Sequence, residues 1–325
     1  MHPYPTTNAE RARWELARAR AFARRLRTHD PAAPEPPSLP EGRIVAVPGL
    51  GETFCRVGPP VPGRLPVLLL HGWMASADLN WFRTYGPLGR DRQVIAIDHQ
   101  GHGRGIRSEQ AFSLERCADA AAGVLMHLGV ERAIVAGYSM GGPIALHTWN
   151  RHPDIVAGLV LGATALEWRA HPIERYQWEV LRFVEAVMRF TTGKGVVQRV
   201  VRQAIDDDPS LEPLRPWLLG EMQRGYLPDI IAAGRALSRY DARPFATGID
   251  VPVAVVHTRH DRLVWPRKQR QLAALTQASV HEIVADHDAP MVRADELNRG
   301  LLAAIADIEA RLAAAPGPAS VTTAR

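Results

Sequence analysis

Cysteine, lysine and long apolar runs are scarce in this 325-residue chain, and each scarcity excludes a class of protein. Cys55 and Cys117 are the only cysteines, and their spacing gives neither a disulfide framework nor a zinc site, so we expect two reduced thiols in the core. The chain has no apolar stretch of roughly 18 residues that could span a bilayer. The N-terminus also lacks the apolar segment of a secretory signal. We therefore expect a cytoplasmic protein.

Positive charge is concentrated near one end of the chain. Lys194 and Lys268 are the only lysines among 39 basic residues, so arginine supplies the other 37. Residues 1–30 contain seven arginines and three acidic residues, and this segment therefore carries four of the five formal positive charges. The rest of the chain is nearly neutral. A nucleic-acid-binding enzyme would line its working face with basic residues, so we expect no nucleic acid partner.

The basic N-terminal segment is predicted to be an arm separate from the rest of the chain. Over residues 8–28, apolar residues that include Trp14 and Phe22 fall on one helical stripe surrounded by arginines. The proline-rich residues 31–40 then end the helix and act as a semi-rigid spacer. We assign residues 1–41 to this arm. It could contact an anionic membrane surface, its own body or a partner subunit, and these alternatives stay open.

Short β-branched runs recur along the rest of the chain and predict eight strands. They lie at residues 43–47, 53–57, 66–70, 93–98, 132–137, 155–162, 251–257 and 280–284. From residue 66 onward the runs are continuously apolar, as in parallel strands covered by helices on both faces. The first two runs are weaker and predict an antiparallel edge. We therefore expect an α/β protein with a mostly parallel eight-stranded central sheet and helices on both faces.

The strand pattern is interrupted once, between Gly162 and Val251. This segment shows helical periodicity, for example in IERYQWEVLRFVEAVM, and it is too long for an ordinary crossover. We therefore predict an inserted helical cap over the sheet. The predicted division of the chain is a cap at residues 165–243, a core at residues 42–164 and 244–314, and a disordered tail at residues 315–325.

The stretch AIVAGYSMGGPIALHTW, residues 133–149, places one serine between glycines at G-x-S-x-G spacing. Gly137 ends a predicted strand, Ser139 lies at a sharp turn and Gly141 begins a predicted helix, where larger side chains would collide with the folded backbone. The helix N-terminus behind the serine favours negative charge. Because five-residue patterns arise by chance, the motif alone makes Ser139 only a candidate nucleophile.

Two further residues could activate the serine, whose hydroxyl needs a base to take its proton and an acid to orient that base. Asp261 follows the predicted strand VPVAVVH, and His287 follows the next predicted strand, VHEIV. Taken singly, Asp261 is explained equally well as a helix cap or a partner of Arg262, and His287 as a solvated loop histidine. Their order after Ser139, at the ends of consecutive strands, favours a catalytic role for all three residues.

Backbone amides near the serine could stabilise an oxyanion. The segment PVLLLHGWMAS continues a central strand, and its turn at Gly72 would direct the amide of Trp73 inward. Met140, next to the serine, would supply the second amide. The alternative is that His71 and Gly72 merely end the strand. The loop DHQGHGRG, residues 98–105, is predicted to be structural.

Histidine pairs suggest a competing chemistry. His257 and His260 are three residues apart, as are His99 and His102, which lie close to Asp98. Metal-binding histidines often have this spacing. No glutamate completes a zinc-protease pattern, and histidines in loops are commonly solvated or bonded to backbone. We therefore predict no metal and no cofactor.

These motifs together resemble the α/β-hydrolase fold superfamily. The resemblance rests on LLLHGW, DHQGHGRG, GYSMGG, the two late residues of the candidate triad and the helical insertion, and it covers about residues 43–312. It implies a serine nucleophile on a capped sheet. The roles implied by the resemblance are Ser139 as nucleophile, His287 as base, Asp261 as orienting acid, and the amides of Trp73 and Met140 as the oxyanion hole.

The sequence also departs from the family pattern. Members often have glycine before the catalytic histidine and an aromatic residue after it, whereas Asp286 and Asp288 flank His287 here. The loop HGWMAS lacks the HGxGPG form usual in ring-cleavage C–C hydrolases, which makes that chemistry less favoured. Dehalogenases and epoxide hydrolases use an aspartate nucleophile where this chain has Ser139, so these two activities are not expected.

The sequence therefore predicts a carboxylesterase-like or lipase-like serine hydrolase, which cleaves a small ester with an apolar moiety through an acyl-enzyme. A C–C bond hydrolase or a cofactor-free perhydrolase would share the same triad, and a non-enzymatic binding or interaction module is the third alternative. Aromatic residues of the cap and of the segment after Trp73 could line an apolar pocket, although most could equally be core. The candidates are Trp81, Phe82, Trp168, Tyr176, Trp178 and Phe183.

Overall fold

An eight-stranded sheet forms the centre of the computed structural model, which describes Pro36, residues 38–169 and residues 194–314. The strands are β1 (Glu41–Val47), β2 (Gly51–Val57), β3 (Val67–Leu70), β4 (Val94–Ile97), β5 (Ala133–Tyr138), β6 (Val156–Gly162), β7 (Val253–Thr258) and β8 (Ser279–Ile283). All eight predicted strands are confirmed. The predicted helix at residues 8–28 and the predicted tail at residues 315–325 lie outside the described residues.

The strands are arranged in the order β1-β2-β4-β3-β5-β6-β7-β8. β1 pairs antiparallel with β2, and β2 pairs antiparallel with β4. All further pairings in the sheet are parallel. The predicted antiparallel edge and the mostly parallel sheet are both confirmed. Because the parallel strands end at the same edge of the sheet, the loops that follow them collect there.

The continuously apolar strands are explained by burial on both faces of the sheet. Successive side chains of a strand point to opposite faces. In β3, Leu68 and Leu70 join the core on one side, whereas Val67 and Leu69 join the core on the other. All four side chains are completely buried. No position on this strand therefore faces water, which leaves no place for a polar residue.

Helices cover the sheet on both sides, as predicted. Those of the described residues are α1 (Ala77–Trp81), α2 (Tyr85–Leu88), α3 (Leu114–His127), α4 (Gly141–Arg151), α5 (Lys194–Asp207), α6 (Arg215–Met222), α7 (Leu227–Leu237), α8 (Arg243–Ala246), α9 (Pro266–Leu275), α10 (Ala289–Val292) and α11 (Ala294–Ala314). Helices α3 and α4 contribute to one core, and α11 contributes to the other. None of these described helices has both the length and the apolar content needed to cross a membrane.

The helices α5, α6 and α7 belong to the segment inserted between β6 and β7. Glu167 and Asp241 form an antiparallel bridge, so the chain leaves the core and rejoins it at neighbouring points. Helices α5 and α6 pack on α1 through a third apolar cluster, whereas Ala233 and Leu237 of α7 join the core that contains α3 and α4. The buried members of the third cluster are Leu79, Phe82, Val201, Ala204, Ile205, Leu211, Trp217 and Leu218. The three inserted helices lie in the segment that was predicted to form a helical cap, which we call the cap, and the apolar cluster fixes its first two helices against α1.

Candidate active site

Ser139 lies at a strained turn between β5 and α4. Its φ angle is +53°, in the left-handed region that residues with side chains rarely adopt. Glycine is required on both sides because the backbone folds back on itself. A Cβ at Gly137 would lie 2.1 Å from the carbonyl oxygen of Gly141, and a Cβ at Gly141 would lie 2.0 Å from that of Leu70. Such a strained strand-to-helix turn presents a nucleophile above the sheet edge.

The side chains of Ser139, His287 and Asp261 form a continuous hydrogen-bonded chain. His287 Nε2 lies 3.0 Å from Ser139 Oγ, and His287 Nδ1 lies 2.9 Å from Asp261 Oδ2. The three residues follow β5, β8 and β7, so three loops at one sheet edge bring them together. The Asp261 side chain is fully buried, whereas the His287 side chain is 19% exposed. The carboxylate is therefore shielded from water, whereas the imidazole is partly accessible to it.

The buried carboxylate of Asp261 is held by several donors. Its Oδ1 accepts the amides of Leu263 and Val264 at 2.9 and 2.8 Å, and its Oδ2 accepts the Thr258 hydroxyl at 2.8 Å. Gln269 Nε2 donates in turn to Thr258 Oγ1 at 2.7 Å. A buried charge without such partners would be costly, so these bonds both satisfy and orient the carboxylate. Sequence reasoning missed Thr258 and Gln269. The only local signal was the hydroxyl of Thr258 at the end of a strand.

Tyr138 and Asp286 hold the loop that carries His287. The Tyr138 hydroxyl donates to the His287 carbonyl at 3.0 Å. Asp286 Oδ1 accepts the amides of His287 and Arg262 at 2.7 and 3.0 Å, so it ties this loop to the loop of the neighbouring Asp261. Burial and nearby carboxylates raise the pKa of Tyr138 well above its ordinary value, which keeps the hydroxyl protonated. Burial raises the pKa of Asp286, but the bonds from Arg262 and His287 outweigh it and lower that pKa overall.

The segment between β3 and α1 passes directly beside the serine. A Cβ at Gly72 would lie 3.3 Å from Ser139 Cβ, so the backbone here approaches this serine closely. The Gly72 amide donates to Asn80 Oδ1 at 3.0 Å, which fixes the start of the turn. Trp73 follows Gly72, and Met140 follows Ser139 at the start of α4. The two residues predicted to supply oxyanion amides therefore lie in the two backbone segments that flank the serine hydroxyl.

Three buried, neutral histidines lie beside this segment and support it. His71, His99 and His102 are buried, and the centroids of the His71 and His99 rings are 4.1 Å apart. His71 Nε2 accepts the His99 amide at 3.0 Å, so its Nδ1 carries the proton and donates to the Gly72 carbonyl at 2.8 Å. Burial lowers the pKa of His71 to about 4 and that of His102 to about 3. Burial and the neighbouring imidazoles also lower the pKa of His99 well below its ordinary value.

The histidine pairs do not converge on a common point with acidic ligands. His257 is completely buried, whereas His260 is exposed. Asp98 is occupied as a backbone acceptor, with the amides of Ala77 and Arg104 at 2.6 and 2.7 Å from its carboxylate. In the part of the chain that the structure describes, no group of three or more histidine, cysteine or acidic residues could hold a metal ion.

The candidate pocket residues lie in several environments. Trp81 is buried and meets the Tyr138 ring edge-on at 6.2 Å, and both side chains belong to the same core. Phe82 packs on the cap residue Trp217, with ring centroids 5.2 Å apart. Trp168 is partly buried against the core that contains α3 and α4. Tyr176, Trp178 and Phe183 lie outside the described residues. A role for these aromatic residues in substrate binding stays a prediction.

Comparison with known proteins gives the class of protein that this fold and site define. The family model of the alpha/beta hydrolase fold matches residues 66–294, which is well over half of the chain. The chain therefore belongs to the alpha/beta-hydrolase fold family, as its motifs indicated. Its relatives in this family support the assignment of this chain to the hydrolase class of enzymes.

The chain is similar to several named members of this family. It is 26% identical over 200 residues to the AB hydrolase superfamily protein YisY of Bacillus subtilis, which covers 61% of this chain and 75% of that protein. It is 31% identical over 206 residues to the pimeloyl-[acyl-carrier protein] methyl ester esterase of Neisseria meningitidis, covering 62% of this chain and 77% of that protein. The enol-lactonase of Burkholderia xenovorans LB400 superposes with a TM-score of 0.68 at 22% identity, over 81% of this chain and 100% of that one. At that identity the likeness shows the fold alone.

Proposed function

We propose that this protein is a serine hydrolase that cleaves carboxylic esters carrying an apolar moiety. Ser139 is the nucleophile, His287 the base and Asp261 the acid that orients the base. The observation that carries the proposal is the chain of hydrogen bonds from Asp261 through His287 to Ser139, at 2.9 and 3.0 Å. Bonds of this length allow direct proton transfer between a base and a nucleophile. Ser139, at the end of this chain of bonds, lies at a strained turn on the carboxyl edge of the sheet.

The first chemical step follows from the tautomer that Asp261 imposes. Both carboxylate oxygens are acceptors, so His287 Nδ1 carries the proton and donates to Asp261, and the Nε2 lone pair faces Ser139. When Ser139 Oγ attacks the ester carbonyl carbon, Nε2 takes the hydroxyl proton. The carbonyl π electrons move to oxygen, and a tetrahedral oxyanion forms. Asp261 stabilises the resulting imidazolium without taking its proton.

The remaining steps return the enzyme to its starting state. The amides of Trp73 and Met140 and the N-terminus of α4 stabilise the oxyanion. Collapse of the intermediate breaks the bond between the acyl carbon and the alcohol oxygen, and His287 gives its proton to the departing alcohol. Water then attacks the acyl-enzyme as His287 takes one of its protons. The second collapse releases the carboxylic acid and gives the proton back to Ser139.

Two kinds of evidence support an ester with an apolar moiety as the substrate. The Neisseria relative is a methyl ester esterase by name, and a methyl ester is a carboxylic ester. Met74 directly follows Trp73 and is 43% exposed, so an apolar side chain is available beside a proposed oxyanion donor. Burial of an exposed thioether side chain against an apolar substrate group would favour binding.

Covalent labelling tests the proposed nucleophile. Incubation with a serine-directed phosphonate, followed by peptide mass spectrometry, should place one adduct on Ser139 and none on a Ser139→Ala variant. Ser108→Ala is the matched control, since this serine lies in the loop before α3 and accepts bonds from Gln110 and Arg116, and it should leave labelling unchanged. An adduct elsewhere, or no adduct, would remove this mechanism.

A substrate panel separates the proposed reaction from the alternatives. We expect p-nitrophenyl esters to be hydrolysed and vinylogous diketones, the substrates of C–C hydrolases, to be turned over more slowly. The reverse preference would favour C–C cleavage by the same three residues. A Ser139→Ala variant that retained the full biological effect would instead support a binding module.

A further inference from the structure

The segment Gly72–Ser76, which we call the oxyanion loop, is fixed to the core at its start and just after its end. The Gly72 amide donates to Asn80 Oδ1 at 3.0 Å, and the Ala77 amide donates to Asp98 Oδ1 at 2.6 Å. Between these anchors the loop turns, with the Ala75 amide 3.3 Å from the Gly72 carbonyl oxygen. The core therefore fixes where the loop begins and where α1 begins, but these bonds do not involve Trp73.

The side chain of Trp73 is held by the cap. Its Nε1 donates to the carbonyl oxygen of Ile230 in α7 at 2.7 Å, across 157 positions of sequence. Its six-membered ring lies against the same helix at Gly234, one turn further on. A Cβ at Gly234 would be only 2.7 Å from Trp73 Cζ2 and 3.1 Å from Cη2. The indole thus rests directly on the α7 backbone, where only glycine leaves room for it.

A second cap helix holds the far end of the loop. Ser76 Oγ donates to Glu221 Oε2 of α6 at 2.9 Å, while the same oxygen accepts the Leu79 amide at 3.0 Å as the cap of α1. Glu221 is itself buried and paired with Arg224 at 2.7 Å. The cap therefore touches the oxyanion loop on both sides of Met74, through a tryptophan and through a serine.

The geometry points to Gly234, together with the carbonyl of Ile230, as a positioning element of the cap that sets the direction of the Trp73 amide. This inference rests on the proposed function, in which that amide stabilises the oxyanion. A peptide plane and its own side chain share one Cα, so an indole held at its ring edge restricts the backbone on which it is built. The cap then does more than cover the site, because it orients one of the two oxyanion donors.

Substitution of Gly234 by alanine gives a prediction of stated size. Ordinary van der Waals contacts begin at 3.4 Å, so the new Cβ at 2.7 Å would push the indole outward by about 0.7 Å. A misplacement of about 1 Å can cost roughly 100-fold in rate, and loss of one oxyanion donor costs about 100- to 1,000-fold. We expect Gly234→Ala to lower kcat by about 10- to 100-fold with little change in KM, because the oxyanion exists only in the transition state.

Gly220→Ala is the matched control, since Gly220 lies in the cap helix α6 and a Cβ there meets nothing within 4 Å. Both substitutions replace glycine by alanine in a cap helix, and both therefore gain helix propensity. Gly220→Ala should keep kcat and KM within about twofold of the starting protein. Equal kinetic behaviour of the two variants would overturn the inference.

A double-mutant cycle separates positioning from a general distortion of the cap. Phenylalanine has no Nε1 to donate to Ile230, so Trp73→Phe should lower kcat. Its ring also does not extend to the positions of Cζ2 and Cη2, so this substitution should remove the clash that Gly234→Ala creates. We expect the double variant to match Trp73→Phe alone. If Gly234→Ala lowers kcat equally in both backgrounds, the indole does not transmit the effect and the inference is wrong.

One further measurement distinguishes failure of this inference from failure of the proposed function. Steady-state hydrolysis of a p-nitrophenyl ester is measured for each variant beside Ser139→Ala. If Ser139→Ala is as active as the starting protein, the serine mechanism itself fails, and the positioning role falls with it. If Ser139→Ala is inactive and Gly234→Ala behaves as Gly220→Ala does, only the positioning role is refuted.

Discussion

Replacement of Asp261 by asparagine should nearly abolish hydrolysis while leaving the fold intact. The two backbone amides of Leu263 and Val264 donate to Oδ1, so the carboxamide oxygen of asparagine must take that position. Its NH2 group then takes the place of Oδ2, which lies 2.9 Å from His287 Nδ1. A donor now faces Nδ1. The imidazole proton must move to Nε2, where it blocks proton abstraction from Ser139.

The size of the effect follows from the loss of the base. The same wrong-tautomer substitution in the serine-protease template lowers kcat by about 10,000-fold. We expect a fall of about 1,000- to 10,000-fold in kcat/KM here, which corresponds to about 4 to 5.5 kcal/mol of activation free energy. The assay is ester hydrolysis at pH 7, with thermal unfolding measured in parallel to show that the variant is folded.

Asp286→Asn is the matched control for this substitution. Asp286 lies next to His287 in sequence but accepts the backbone amides of His287 and Arg262, not the imidazole. Its carboxamide oxygen can replace Oδ1, so the tautomer of His287 is unaffected, and we expect a loss of less than about tenfold. The reasoning about the tautomer would be refuted if Asp261→Asn retained more than a tenth of the starting kcat/KM, or if both variants lost activity equally.

Three further predictions concern stability and the N-terminal arm. Between their folded pKa and about 6.5, the buried histidines bind fewer protons in the folded state than in the unfolded state. The free energy of unfolding should therefore be fully present above pH 6.5 and fall as the pH drops toward 4, and His71 alone contributes about 3 kcal/mol to this loss. A urea midpoint that does not change between pH 7 and pH 5 would contradict this. Gly141→Ala should destabilise the protein by more than about 3 kcal/mol, because its Cβ would lie 2.0 Å from the Leu70 carbonyl oxygen, and chemical unfolding beside Gly220→Ala measures the difference. Deletion of residues 1–35 should leave kcat/KM unchanged. If the arm contacts a membrane, the deletion should reduce co-sedimentation of the protein with anionic vesicles. Unchanged co-sedimentation together with a changed oligomeric state would instead assign the arm to a partner subunit.

The sheet could be predicted because its information is local. Each strand is a short apolar run bounded by turn residues, and in β3 all four residues are buried, so the run has no polar interruption that would obscure it. The sequence GYSMGG likewise encodes a sharp turn by itself, since Gly137 and Gly141 are needed wherever the backbone folds so tightly. The order of Ser139, Asp261 and His287 then follows from the order of the strands.

Other features depend on contacts between distant parts of the chain and left no local pattern. Gln269 lies in α9 and supports Asp261 through Thr258, a link that exists only after the chain has folded. Nothing in the sequence separates Tyr138 from an ordinary core residue, although its hydroxyl holds the His287 carbonyl. Trp73 was predicted for its amide alone. The contact of its indole with the cap requires the packing of α7, which no periodicity reveals.

The most direct measurement of the central claim is the capture of the acyl-enzyme. The protein is mixed with a p-nitrophenyl ester, quenched in acid within the burst phase and digested, and the peptides are identified by tandem mass spectrometry. We predict an acyl group on Ser139 in an amount that matches the burst of p-nitrophenol, and neither burst nor acyl group in Ser139→Ala. Turnover that continues in Ser139→Ala, with no acylated Ser139 in the starting protein, would contradict the account.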